Sequence, residues 1–572
     1  AAPLFVSPQQ PFSSYVTDDE EEPGAGLKST THSVAGINGD SAVNGQGGAV
    51  GRYQPALESV GLAGRLKHLQ NLPSARVVSN NEVFCNRELR LDGIRAIGFD
   101  MDYTLAQYRQ PAFDQLAFDG AKVKLVEKLG YPKEVLDFEY DHTRWNRGLI
   151  IDTQRGNFIK IDRHKYVRVA QHGFHRMSST TRKHLYSRTF NKVPSFSEKS
   201  FVKMDTLFQV VDAHLFALLV ELKDQGEHEF LDAVTYGEMW RQIRECVDLC
   251  HRDGVIKDEV ARDPKKYLVH DKGTIPMLKR YKEAGIKVFL VTNSYWEYTS
   301  VAMNYLYHGH KVDDELKNKN EWIDLFDLVV VGSCKPAFML DPRLSLFRIN
   351  TLDGSLKNTD GLFEIDAVGG SEAFLEQGRV YQGGNWKHLH ALLEVDAGEE
   401  ILYVGDHLYA DVLRSKRTLG WRSAFIVPEL EEEMRVFDEN KNVLRKIIQL
   451  RKLRDELSIY ADKVQVKGGE DMQRILDEIG DDDFVVKTKL SELASQWHAA
   501  FHPEWGAMFQ AGYQDSRFAF YVQNYACLYT SRATNLGLAF QSRSFRTTSE
   551  MLPHDRLIAD VTTEFEEFDP WE

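Results

Sequence analysis

The chain of 572 residues is 42% hydrophobic and sets 85 Asp and Glu against 70 Lys and Arg, for a net charge of −15. That length allows several domains around sizeable cores, and the acidic balance argues against a nucleic-acid or anionic-membrane surface as the main business. With no uninterrupted apolar run of about 18 residues, no transmembrane helix is expected, and five scattered cysteines fit a reducing compartment rather than a disulfide framework.

In chain order, residues 1–53 mix Pro, Ser and Gly with the acidic run Asp18 to Glu22 and read as a disordered tether. A short amphipathic helix (Leu57, Leu62, Leu66, Leu69) leads toward a strand at Ile94 to Ile97, which runs into Gly98-Phe99-Asp100-Met101-Asp102-Tyr103-Thr104. Helical spacing marks Phe113 to Tyr131, stopped by Gly130 and Pro132. A hairpin is expected over Gly148 to Val169 around Arg155-Gly156-Asn157, then helices over 205–225, 227–252 and Pro276 to Gly285. Cys246 and Cys250 lack further ligands at metal spacing and read as one helix face, not zinc ligands.

Buried strands return at Ile286 to Val291, Asp327 to Val331, Glu400 to Val404 and Trp421 to Val427. Their carboxyl ends carry Thr292-Asn293-Ser294, then Gly332 to Pro336 with Lys335, then Gly405-Asp406-His407 through Asp411. Strands alternating with helices imply a parallel sheet with right-handed crossovers, whose chemistry sits beyond the carboxyl ends of the strands. The fold class is therefore α/β, a Rossmann-like doubly wound parallel sheet. The core is assigned to 54–112 and 270–428, an inserted α+β cap to 113–269, and a helical carboxyl-terminal extension to 429–572. A two-stranded excursion is expected at about 340–385. Past Pro428, Leu430, Met434, Phe437, Leu444, Ile447, Ile448 and Leu457 mark one long amphipathic helix.

Asp100 and Asp102 stand one residue apart where a strand ends, so both can face one reacting centre. Asp-x-Asp-x-Thr after a strand resembles the opening motif of the haloacid-dehalogenase-like (HAD) phosphatases, and the later motifs follow in that superfamily's order. The resemblance implies Asp100 as nucleophile, forming an acyl phosphate, and Asp102 as general acid and then base. Two anions repel unless a cation lies between them, and Mg²⁺ held by the Asp100 side chain, the Asp102 carbonyl and Asp406 suits that need. Asp411 is expected to orient that shell or to pair with Lys335. Thr292 offers a hydroxyl, and its neighbours Asn293 and Ser294 offer amides, to the phosphoryl oxygens of the substrate, and Lys335 adds a fixed positive charge.

Phe99-Asp100-Met101-Asp102-Tyr103-Thr104-Leu105-Ala106, Thr292-Asn293-Ser294 and Val404 to Asp411 are similar to the cytosolic purine 5′-nucleotidases of the IMP/GMP-preferring type. Asp152-Thr153, Gly156-Asn157, His172-Gly173-Phe174 and Met551-Leu552-Pro553-His554 extend the resemblance over roughly residues 80 to 560. It implies that Phe208 stacks on the base, that Arg244 and Asp248 read its polar edge, and that His251 and Lys257 approach the base or sugar-phosphate. Arg244, Asp248 and His251 fall on one helical stripe. The family's Ile-Arg-Gly-Pro is replaced here by His175-Arg176-Met177-Ser178.

The expectation is a Mg²⁺-dependent 5′-nucleotidase for purine nucleoside monophosphates, with phosphotransfer to a nucleoside as a second outcome. The alternatives are a HAD phosphatase for another small phosphomonoester, or an idle subunit of a larger assembly. The expected partners are a nucleotide substrate and a second copy of the chain, with no nucleic acid and no membrane insertion. Ala1 at the start inclines the reading toward an organelle such as the plastid after removal of a targeting peptide, with the cytoplasm as the alternative.

Overall fold

The computed structural model describes residues 80–187, 196–313, 318–539 and 543–547. The expected tether, the helix at Leu57 to Leu69 and the Met551 to His554 motif lie outside them. Among the described residues no helix is long and apolar enough to cross a membrane.

The organising feature is a ten-stranded sheet. Its parallel heart runs Arg422–Ile426, Ile401–Gly405, Ala96–Phe99, Lys287–Val291, Leu328–Val331 and Val380–Gly383, side by side. Ala96–Phe99, Leu328–Val331 and Ile401–Gly405 are buried throughout. Burial on both faces is why these segments read as continuous apolar runs instead of alternating ones. Phe99 is opposite Leu290 on one side and Val404 on the other, so the loops after three adjacent strands open at the same rim. This is the doubly wound α/β arrangement expected of the chain.

Two parallel strands were not foreseen. Val380–Gly383 lies in the stretch read as an excursion, beside the antiparallel pair Leu346–Ile349 and Leu356–Asn358. Leu528–Thr530 lies in the extension read as helical, and pairs parallel to Arg422–Ile426 while Phe84–Cys85 closes that edge antiparallel. Strands of three or four residues carry too little period to announce themselves, and neighbouring strands decide their pairing.

The inserted region holds a five-stranded antiparallel sheet, His175–Arg176, Val167–His172, Asn157–Ile161, Ile150–Asp152 and Phe201–Lys203. Helices Ala112–Leu129, Gln209–Asp224 and Tyr236–Arg252 pack beside it. The stretch 227–252 is two helices: Glu229–Ala233 ends before Thr235, whose hydroxyl caps Tyr236–Arg252 by accepting from the Glu238 amide at 3.2 Å. Cys246 and Cys250 are buried free thiols on that second helix.

The single long helix expected past Pro428 is also divided. Leu430–Glu439 stops at Asn440, whose side-chain amide donates back to the Val436 carbonyl at 2.9 Å, and Lys441–Lys467 follows. Ile447 and Leu450 from it meet Val486, Leu490 and Trp497 of Met472–Phe501. Phe437 and Ile448, read as part of the apolar stripe, are exposed.

Candidate active site

The site stands at the carboxyl rim of the central strands. Asp100 follows Ala96–Phe99 directly; its backbone amide bonds the Val404 carbonyl and its Oδ1 accepts the Met101 amide at 2.7 Å. Lys335, in the loop after Leu328–Val331, brings Nζ to 3.0 Å from Asp100 Oδ1 and 2.8 Å from Asp411 Oδ1. The same amine donates to the Tyr403 hydroxyl at 2.9 Å, and that hydroxyl donates on to the Val291 carbonyl. Of the two roles left open for Asp411, the geometry contains the pairing with Lys335.

Oxygens of Asp100, Asp406 and Asp411 lie within 4.8 Å of one another, all three buried. Asp406 Oδ2 is buried and, among the described residues, accepts no hydrogen bond. A buried carboxylate oxygen without a donor is costly, and a cluster of hard oxygen donors suits Mg²⁺, so the residues present fit that ion. Burial, opposed by Lys335 and reinforced by Asp411 and Asp102, pushes the Asp100 pKa up to about 7. Burial and then the charges of Asp100 and Asp411 drive Asp406 well above the carboxylate range. Burial works against the Lys335 ammonium, but Asp100 and Asp411 outweigh it and hold the amine charged.

Gly405 makes room for this cluster. A Cβ at that position would meet Asp411 Cγ at 2.6 Å. Asp411 sits in wide π-type turns, Leu408–Arg414, and its Oδ2 takes the His407 amide at 3.2 Å. Such turns recur at functional sites because they re-aim one side chain.

Asp102 turns to a second set of donors. Ser294 Oγ donates to its Oδ2 at 2.8 Å, Thr292 Oγ1 stands 3.5 Å from the same oxygen, and the Tyr108 hydroxyl donates to Oδ1. Tyr298 backs Tyr108 at 2.9 Å. Asn293 points away from this carboxylate. Its Oδ1 accepts from Ser333 Oγ and from the Lys335 amide, at 3.0 and 2.6 Å, and its Nδ2 donates to the Lys335 carbonyl. Its side chain thus supports the lysine loop.

Of the cap residues, Arg244 is clasped between Asp248, at 2.6 Å, and Asp212 on the neighbouring helix. Burial, then the charges of Arg244 and Lys257, pull the His251 pKa down to about 3, so the ring is neutral. Phe208 packs edge-on to Tyr103, with ring centroids 4.9 Å apart, and to His251 at 5.8 Å. Lys257 Nζ lies 5.5 Å from the Tyr298 ring; burial lowers its pKa while Asp102 opposes that shift. Phe208 and Lys257 therefore border the Tyr108–Tyr298 pair, one layer from Asp102, and His251 touches Phe208. His175 and Arg176, which replace part of the family's motif, form an exposed edge strand, and Ser178 caps the helix Ser179–Tyr186.

Several site residues escaped the sequence reading. Arg147 is wholly buried; it donates Nη1 to the Asp406 carbonyl at 2.9 Å and grips Glu429 with Nε and Nη2 at 2.7 and 2.6 Å. Tyr403, Tyr108, Tyr298 and Asp212 are the others. Only Tyr403 gave a signal, a hydroxyl inside an otherwise apolar strand three residues before Asp406.

Comparison with known proteins accords with this geometry. A 5′-nucleotidase domain-containing protein of Dictyostelium discoideum is 27% identical over 476 residues, covering 83% of this chain and 75% of its own. A crystal structure of a HAD phosphatase from Thermococcus onnurineus aligns with 59% of this chain and 87% of its own, at 15% identity and a TM-score of 0.23, too low a score for any argument to rest on it. Residues 83–557 match the 5′ nucleotidase family. By that match over most of its length, the chain belongs to the 5′ nucleotidase family.

Proposed function

We propose that the chain is a Mg²⁺-dependent 5′-nucleotidase acting on purine nucleoside monophosphates through a phosphorylated Asp100. The observation that carries the reading is the pairing of Asp100 with Lys335 at 3.0 Å inside a buried acidic cluster whose Asp406 oxygen lacks a donor. In the first step a bond forms from Asp100 Oδ to phosphorus as the bond from phosphorus to the 5′-oxygen breaks. Asp102 gives its proton to the departing oxygen. In the second step water attacks phosphorus, Asp102 takes the water proton, and the bond to Asp100 breaks. Lys335 holds charge beside the phosphoryl group, and Ser294 and Thr292 fix the Asp102 carboxylate for both transfers.

Asp100, Asp406 and the Asp102 carbonyl would hold Mg²⁺, which supplies neutralisation between the nucleophile and the phosphate dianion. Arg244 and Asp248 are assigned to the base edge, with Phe208, His251 and Lys257 closing toward the sugar and Asp102. Asp212 fixes Arg244 from behind. A panel of monophosphates tests the reading. Wild type should release phosphate fastest from purine 5′-monophosphates, only with Mg²⁺, and Asp100→Asn should release none. Equal release by wild type and variant, or release untouched by chelator, overturns it. Arg244→Ala should raise KM for purine nucleotides and leave a pyrimidine nucleotide or a sugar phosphate unaffected.

A further inference from the structure

At the opposite rim of the sheet lies a second, unassigned cavity of about 390 Å³. It is lined by Arg87, Lys416, Arg417 and Arg422, with Glu399 as its single carboxylate. Glu399 precedes Ile401–Gly405 and Arg422 begins Arg422–Ile426, so the cavity faces the amino ends of these strands while Asp406 follows a carboxyl end. A strand of five residues spans about 16 Å. The cavity is thus a separate place from the catalytic cluster.

Four cations gathered in a chain of net charge −15 call for a cause. The Gly420 amide, not a cation, takes the Ser415 and Lys416 carbonyls of Ser415–Leu419. Ion pairing supplies little. Arg422 reaches Glu399 at 3.5 Å, where both side chains meet water, and Lys416 donates to the Asn524 carbonyl at 2.8 Å. Burial pushes the Lys416 pKa down, opposed by Cys527 and reinforced by the positive charges of Arg87 and Arg422.

We propose that this cavity binds a small soluble anion carrying linked phosphate groups, of the diphosphate class. A single phosphate brings at most two negative charges against an excess of three positive ones, whereas a diphosphate matches that excess. Planar guanidinium forks favour phosphate oxygens in pairs. The volume falls at the low end of the range for small-molecule sites and leaves room for a short organic group.

The probe is inorganic diphosphate titrated calorimetrically into the full chain in excess chelator without Mg²⁺, a condition in which the acidic catalytic cluster repels anions. Wild type should give saturable binding that an equal ionic strength of NaCl does not mimic. Arg87→Ala and Arg417→Ala should each loosen it about tenfold. Glu399→Gln should tighten it about threefold, a gain that general unfolding cannot produce. The proposal is overturned if wild type gives no saturable binding, or if the affinity is unchanged in both arginine variants. Phosphate release by these variants is expected to stay at the wild-type level, so failure here leaves the catalytic reading untouched, and the converse holds.

Discussion

Lys335→Met offers the sharpest test of the charge balance at the site. The substitution keeps the length of the side chain and removes the one amine that faces Asp100 and Asp411 at 3.0 and 2.8 Å. At an effective dielectric of about 20, a pair of unit charges at that separation is worth roughly 5.5 kcal/mol. Against the ordinary carboxyl value of 3.8 in the unfolded chain, protonating a carboxylate that is charged in the wild type costs roughly 4.4 kcal/mol at about pH 7, at about 1.36 kcal/mol per unit. Protonation is the cheaper response, so the variant cluster takes up one extra proton and the loss is capped near 4 kcal/mol. Its folded-state pKa is raised, so the folded variant binds more protons than the unfolded chain and loses stability as pH rises. At about pH 5.5 the same uptake costs only about 2.3 kcal/mol. Urea denaturation in chelator should therefore show Lys335→Met destabilised by about 4 kcal/mol near pH 7 and about 2 kcal/mol near pH 5.5. With Mg²⁺ present, kcat should fall about 10²- to 10³-fold with little change in KM. A destabilisation equal at both pH values, or a kcat near wild type, would refute the assignment.

Three further outcomes follow from the geometry. Arg147→Lys keeps the charge but loses the fork that holds Glu429 and the Asp406 carbonyl, and should weaken Mg²⁺ affinity about ten- to a hundredfold, read as a smaller Mg²⁺-dependent rise in Tm. Gly405→Ala puts a methyl group against Asp411, and should cost about 1–3 kcal/mol in urea denaturation and lower kcat by displacing Asp411 from Lys335. His251, neutral with its pKa lowered to about 3, lets the unfolded chain take a proton first as pH falls below about 6.5. Wild type should thus lose up to about 2 kcal/mol between about pH 6.5 and pH 5 that His251→Gln retains, checked by denaturation at both values.

The rim that carries the candidate site was legible because each part is local. Apolar strand, polar residue, turn is a pattern within ten residues, and it recurs at Asp100, Thr292, Lys335 and Asp406 in the order that one superfamily uses. What supports the rim was illegible because each support is a single residue whose partner is distant in sequence. Arg147 and Glu429 are 282 positions apart, Lys335 and Tyr403 are 68, and Arg244 and Asp212 are 32. No period or spacing ties such pairs together; only the folded sheet does. Asn293 shows the same limit from the other side. Its place beside Thr292 suggested contact with substrate, while the return of the Lys335 loop claims both ends of its side chain.

The cap carries more of the site than a cover would. Arg147, from the inserted region, holds the Asp406 carbonyl against Glu429. Asp205 makes a buried pair with Arg517 at 3.0 Å, and Lys160 donates to the carbonyls of Trp505 and Ala507. Swinging residues 113–269 away as one body would break both ion pairs and the Lys160 contacts together. It would also release the Asp406 loop, dismantling the cluster at the moment the substrate arrives. The Phe208 side is held differently. There the contacts are edge-on rings worth about 1 kcal/mol apiece. Motion confined to Phe208 and its ring neighbours would leave the Arg147 contacts in place. The ion pairs thus tie the inserted region to the carboxyl-terminal segment and keep the acidic cluster assembled, while softer ring contacts hold the Phe208 side.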